Sequence, residues 1–161
     1  PDLDKTLQHK VKPSAEEAHH ATDADPDDIA RHQGDEGKAD GRVLVLIHGS
    51  NASLHTWEPW VKILGKDYRV ISLDLPGHGL TGKNPAGVYD NASYVSVVDR
   101  LLLKLKIKKA VIGGNSMGGG VAWTYALAHP AKVEGLILVV AAGAPGGVSA
   151  SRSSHAAIAP S

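Results

Sequence analysis

The chain has 161 residues, no cysteine, and 17 basic residues against 17 acidic ones. That balance gives it no electrostatic reason to seek nucleic acid or an anionic membrane. The missing cysteine excludes a disulfide framework and thiolate metal sites. An apolar share of 42% is enough for one packed domain. The longest apolar runs, about six to ten residues, fall short of the ~20 needed to span a bilayer.

Residues 1–28 are polar and rich in Asp, Glu, His and Lys, which predicts a flexible tail. They lack the apolar stretch of a signal peptide, and the expected location is cytoplasmic. His19-His20 reads as a solvated pair, since no partner ligands stand at metal-site spacing. Residues 29–145 form the expected core. The run Val43–Ile47 is continuous, apolar and mostly β-branched, as in a strand buried on both faces of a parallel sheet. An amphipathic segment around Trp57, Trp60, Val61 and Leu64 stops at Gly65. Tyr68–Leu73 predicts a second strand, and Asp74–Gly79 a turn-rich loop. Val95, Val98, Leu101, Leu102 and Leu105 recur at helical spacing, with Asp99, Arg100, Lys104 and Lys106 on the opposite, solvated side. Ala110–Ile112 is a third strand, Met117–Ala128 a helix closed by His129-Pro130, and Leu136–Val140 a fourth strand. Strands alternating with helices imply an α/β fold: a mostly parallel sheet with helices on both faces. Residues 146–161, rich in Gly, Ser and Ala, read as a second tail.

Gly114-Asn115-Ser116-Met117-Gly118 fits G-x-S-x-G and stands between a predicted strand and a predicted helix. A turn that tight strains the serine backbone, so its neighbours two residues away must be small, as Gly114 and Gly118 are. The helix N-terminus beneath the hydroxyl favours developing negative charge. The competing readings fail on spacing. Gly113–Gly120 contains no G-x-G-x-x-G register, and the Gly-Lys-Ser/Thr of a phosphate loop is absent. Ser116 is therefore the expected nucleophile.

His48-Gly49-Ser50 ends the first buried strand. A developing oxyanion needs two donors about 3 Å away. The backbone N–H groups of Met117 and Ser50 are the expected pair. Gly49 lets the loop approach, and His48 braces it.

His48-Gly49-Ser50 followed by Trp57, then Asp74-Leu75-Pro76-Gly77-His78-Gly79, then Gly114-Asn115-Ser116-Met117-Gly118-Gly119 stand in one order. This set resembles the N-terminal half of an α/β-hydrolase, the superfamily of carboxylesterases, non-haem haloperoxidase-like enzymes and proline iminopeptidases. Asn-Ser-Met-Gly-Gly is also similar to the meta-cleavage-product hydrolases, which break C–C bonds. The resemblance covers about Arg42 to Pro145, with Ile29 to Gly37 as the remnant of an earlier strand. It implies a truncated α/β-hydrolase fold, a small-molecule substrate and no metal or organic cofactor. Three readings stay open: an esterase, a C–C or amide hydrolase, and a catalytically incomplete hydrolase-like chain.

In this superfamily the triad follows the chain order Ser, acid, His. Downstream of Ser116 stand only His129, His155 and Glu134. His129, at the far end of the helix, should be about 20 Å from Ser116. His155 is the candidate base by default. Asp74 and His78 read as loop-structuring residues. A strand at 136–140 that lacked its next neighbour would be an apolar, uncharged edge open to self-association.

Overall fold

A computed structural model describes residues 33–141. The tails at 1–28 and 146–161, His19-His20 and His155 lie outside the described residues. Among the described residues there are five strands: β1 (Gln33–Gly37), β2 (Arg42–Ile47), β3 (Tyr68–Leu73), β4 (Ala110–Asn115) and β5 (Val133–Val139). They form one sheet in the order β1-β3-β2-β4-β5. β1 runs antiparallel to β3, and the other pairs are parallel. Three α-helices accompany them: α1 (Glu58–Leu64), α2 (Asn91–Lys104) and α3 (Met117–Ala128).

Alternation along β2 divides the core into two layers. Val45 and Ile47 join Ile71, Leu73 and Ile112 beneath α2 and α3. Leu44 and Leu46 join Val70, Val111 and Trp57 on the other face, against Trp60, Val61 and Leu64 of α1. Burial on both faces is why β2 is an unbroken apolar run rather than an alternating one.

The ends of α2 are fixed by local chemistry. Asp90 caps the start, its carboxylate accepting from Ser93 N–H at 2.8 Å. At the other end Ile107 N–H donates to Leu102 O at 2.8 Å and Lys106 N–H to Leu103 O at 3.0 Å. This is the paired carbonyl capture of a left-handed helix stop. It puts Lys106 at φ 56, a conformation that favours glycine. Ile107 is buried against the core by the same turn.

Two boundaries and the setting of one side chain differ from those expected. β4 continues through Gly113, Gly114 and Asn115, because those glycines pair with Leu46 and Ile47 on one side and with β5 on the other. β5 begins at Val133 and ends at Val139; Val140 turns out of the strand at φ 48 and is exposed. Asp99 is only partly exposed. α3 packs beside α2, and Asp99 accepts hydrogen bonds from Tyr125 Oη at 2.9 Å and Lys132 Nζ at 2.6 Å.

Strand order positions the site. From β2 the chain passes to β3 on one side, then crosses to β4 on the other. The loops leaving β2 and β4 therefore diverge from adjacent strand ends, where sheets of this kind bind ligands.

Candidate active site

Ser116 occupies the turn between β4 and α3 with φ 51 and ψ −115. A side chain in this backbone region costs about 1–3 kcal/mol, so surrounding contacts must hold it there. Three do. Ser116 N–H donates to Val139 O at 2.9 Å, and Gly120 N–H donates to Ser116 O at 3.1 Å. The third is the glycine frame. A Cβ on Gly114 would stand 2.1 Å from Gly118 O, and one on Gly118 would stand 2.2 Å from Ile47 O and 2.4 Å from His48 O. The first turn of α3 thus rests directly on the end of β2.

That contact joins the two motifs. A Cβ on Gly49 would lie 3.2 Å from Asn115 O and 3.3 Å from the Cβ of Ser116. The loop carrying Ser50 therefore touches the serine turn. Helix geometry leaves Met117 N–H outside the ladder of α3, at the positive end of the helix dipole. Ser116 and Met117 are partly exposed and Ser50 is exposed, so a ligand can reach them. Gly49, Gly114 and Gly118 are buried beneath.

His48 is fully buried. Its Nδ1 lies 2.7 Å from Gly49 O, and its Nε2 accepts from Leu75 N–H at 3.0 Å. Burial pushes the imidazole below its ordinary value of 6.5; the Gly49 hydrogen bond raises it, His78 lowers it and Asp74 raises it. Asp74 ties its loop together. Its Oδ1 accepts from Leu54 N–H at 2.7 Å, and its Oδ2 accepts from Leu80 N–H at 3.1 Å. Gly79, at φ 53, is needed because a Cβ there would lie 2.0 Å from the Asp74 carboxylate. The His78 ring is tilted 50° against the His48 ring, with centroids 5.0 Å apart. His48 and Asp74 each bond across to another loop.

Neither of the other downstream candidates reaches the serine. His129 lies past the far end of α3, its ring 4.7 Å from Tyr125. Glu134 stands at the start of β5, bonded to Arg42 Nε at 3.3 Å, at the opposite end of the sheet. No cluster of metal-ligating side chains occurs among the described residues. A depression between α2 and α3 is lined by Val95, Ser96, Asp99, Thr124 and His129, and Ser116 is not among its lining residues. The Asp99 network was missed by the sequence reading; only the packing of α3 against α2 reveals it. Burial disfavours charge on Asp99, but the hydrogen bonds from Lys132 and Tyr125, aided by the charges of His129 and Lys132, hold its carboxyl below its ordinary value. The same burial and the bond to Asp99 push the Tyr125 phenol up.

The family model for the alpha/beta hydrolase fold matches residues 42–157. The chain belongs to the α/β-hydrolase family. Among curated α/β-hydrolase relatives, it is 36% identical over 104 residues to a serine hydrolase-like protein of Danio rerio, covering 64% of this chain and 32% of that one. It is 35% identical over 106 residues to a 2-hydroxymuconate semialdehyde hydrolase of a Pseudomonas species, covering 64% and 38%. Among solved α/β-hydrolase structures, one from a study of carboxylesterases of Nitrososphaera gargenis superposes with a TM-score of 0.66 at 34% identity, covering 69% of this chain and 41% of that one. The chain spans about a third of the length of these curated relatives.

Proposed function

We propose that this chain carries the nucleophile and oxyanion hole of a serine hydrolase acting on carboxylic esters. The observation that carries the reading is the placement of Ser116: a left-handed backbone between β4 and α3, with the Gly49 loop against its Cβ. Ser116 Oγ attacks the ester carbonyl as a histidine takes its proton. The N–H groups of Ser50 and Met117 stabilise the oxyanion. The C–O bond to the alcohol then breaks, and the alcohol leaves with the proton held by the histidine. Water, deprotonated by the same base, cleaves the acyl-enzyme and frees the acid. His155 is the candidate base within this sequence, and it lies outside the described residues.

The test is reaction of the full chain with a fluorophosphonate probe, mapped by mass spectrometry beside Ser116→Ala and His155→Ala. Labelling confined to Ser116 and lost in Ser116→Ala is the expected result. Labelling that survives Ser116→Ala, or none on folded protein, overturns the reading and leaves a hydrolase-like chain without turnover. A second reading, C–C bond hydrolysis, is favoured by the 2-hydroxymuconate semialdehyde hydrolase relative. It predicts turnover of a vinylogous dienoate that exceeds turnover of a p-nitrophenyl ester, with both abolished in Ser116→Ala.

A further inference from the structure

The hydrogen bonds of the His48 ring admit one protonation state. Leu75 N–H, 3.0 Å from Nε2, can only donate, so Nε2 must be an acceptor. Gly49 O, 2.7 Å from Nδ1, can only accept, so Nδ1 must carry the proton. The ring is therefore neutral, in the Nδ1–H form, and joins the loop after β2 to the loop after β3. We propose that His48 is a positioning residue for the oxyanion hole, a latch that holds the Gly49–Ser50 loop in place only while it is uncharged. This rests on the reading of Ser50 N–H as an oxyanion donor.

A second proton has only Nε2 to occupy. There it would turn the acceptor of Leu75 N–H into a donor facing a donor. Asp74 Oδ1 stands 4.0 Å from Nε2, beyond hydrogen-bond reach, so in the present geometry it offers that proton charge attraction but no hydrogen bond to replace the one lost to Leu75 N–H. Among the described residues, few titratable groups surround the ring. Asp74 and His78 face it from the loop after β3, and Tyr94 of α2 stands behind His78 at 6.4 Å. His78 is itself turned to Pro76 O at 3.3 Å. The first turn of α3, packed on the His48 carbonyl, carries no titratable side chain.

The direction of the pH effect follows from burial. Folding lowers the affinity of His48 for its proton, so the unfolded chain binds that proton first as pH falls. The stabilisation from His48 is full above the unfolded value of 6.5 and is lost as pH falls from there towards the folded value. Below that window the latch opens and Ser50 N–H loses its fixed place. A base histidine must also be neutral to act, so an acid limb in activity alone does not separate the two.

Long-range ¹⁵N–¹H spectra of the imidazoles in the full chain separate them, with His48 assigned through His48→Gln. The expected result is an Nδ1–H tautomer at pH 7.5 that resists protonation at pH 6.5. When it protonates, the amide signals of Gly49, Ser50 and Leu75 should move with the same midpoint, and in His48→Gln that step should vanish. An Nε2–H tautomer, or a titration near 6.5 that leaves those amides unmoved, overturns the proposal. Fluorophosphonate labelling gives the second readout. Gln can still donate and accept without titrating, whereas Leu can do neither, so His48→Leu should label about 10-fold or more slowly than His48→Gln. Equal labelling of the two variants overturns the proposal. If His48→Leu does not fold, the tautomer and the His48→Gln amide titration decide. If the wild-type chain labels at no pH, the hydrolase reading fails, while the imidazole spectra still decide the latch.

Discussion

Replacing Gly118 with alanine sets two forces of opposite sign against each other. Gly118 is helical, and helix propensity alone favours alanine there by about 1 kcal/mol. The new Cβ, however, would stand 2.2 Å from Ile47 O, 2.4 Å from His48 O and 2.6 Å from Ile47 C. Ordinary contact begins near 3.4 Å, so the first turn of α3 and the end of β2 must separate by roughly 1 Å. All three obstructing atoms are backbone, and no rotamer change relieves them. Overpacking of this severity costs about 3 kcal/mol or more, which leaves a net loss of about 2 kcal/mol after the propensity gain. Urea unfolding of the full chain, followed by tryptophan fluorescence, measures it. Gly87→Ala is the control: its Cβ meets nothing within 4 Å, so only the strain of φ +68 remains, about 1 kcal/mol. A Gly118→Ala chain as stable as the wild type, or more so, would refute the argument, because propensity would then have outweighed contact.

Three more outcomes follow from the same reasoning. Ser116→Gly should be about 1–3 kcal/mol more stable than Ser116→Ala, since only the glycine relieves φ 51 at ψ −115; equal urea midpoints would remove strain from the account. Lys106→Gly should stabilise by about 1 kcal/mol at the left-handed stop of α2, read by the thermal midpoint. Asp99→Asn should cost about 1–2 kcal/mol at pH 7 by weakening the bonds from Lys132 and Tyr125. The Asp99 carboxyl is lowered by folding, so its contribution is full above 3.8 and is lost as pH falls through the folded value. The gap between wild type and Asp99→Asn should therefore close in urea titrations taken towards pH 3.

Much of this architecture was readable before any coordinates, for a physical reason. A strand buried on both faces has to be apolar at every position, and a strained serine turn has to carry glycines, so β2 and the Gly114–Gly118 frame are visible in one chain. What stayed hidden depended on partners. β1, Gln33-Gly-Asp-Glu-Gly, has no apolar alternation to announce it, and only the family resemblance points to a strand within Ile29 to Gly37; it is held by pairing with β3 and by Asp35, which accepts from Arg69 Nε at 2.8 Å and Nη2 at 2.5 Å. Gly113 and Gly114 read as turn but lie in a strand, because neighbours on both sides complete their hydrogen bonds. Asp99 reads as a surface charge, and only the arrival of α3 buries it. In the site the same division holds: Ser116 and the Ser50 loop are local signals, whereas the bridge from His48 to Leu75 joins residues that nothing in the sequence places together.

The serine turn also dates its own formation. Its frame requires Ile47 opposite Gly114, partners about 67 residues apart, and its N–H requires Val139 at the end of β5. Pairing strands across that separation is slower than the helix–coil relaxation of a segment such as α3. Until those strands pair, nothing holds Ser116 at φ 51, and it is an ordinary relaxed serine. The strained geometry of Ser116 arrives only when β2, β4 and β5 have all zipped together, so its appearance clocks the pairing of those three strands.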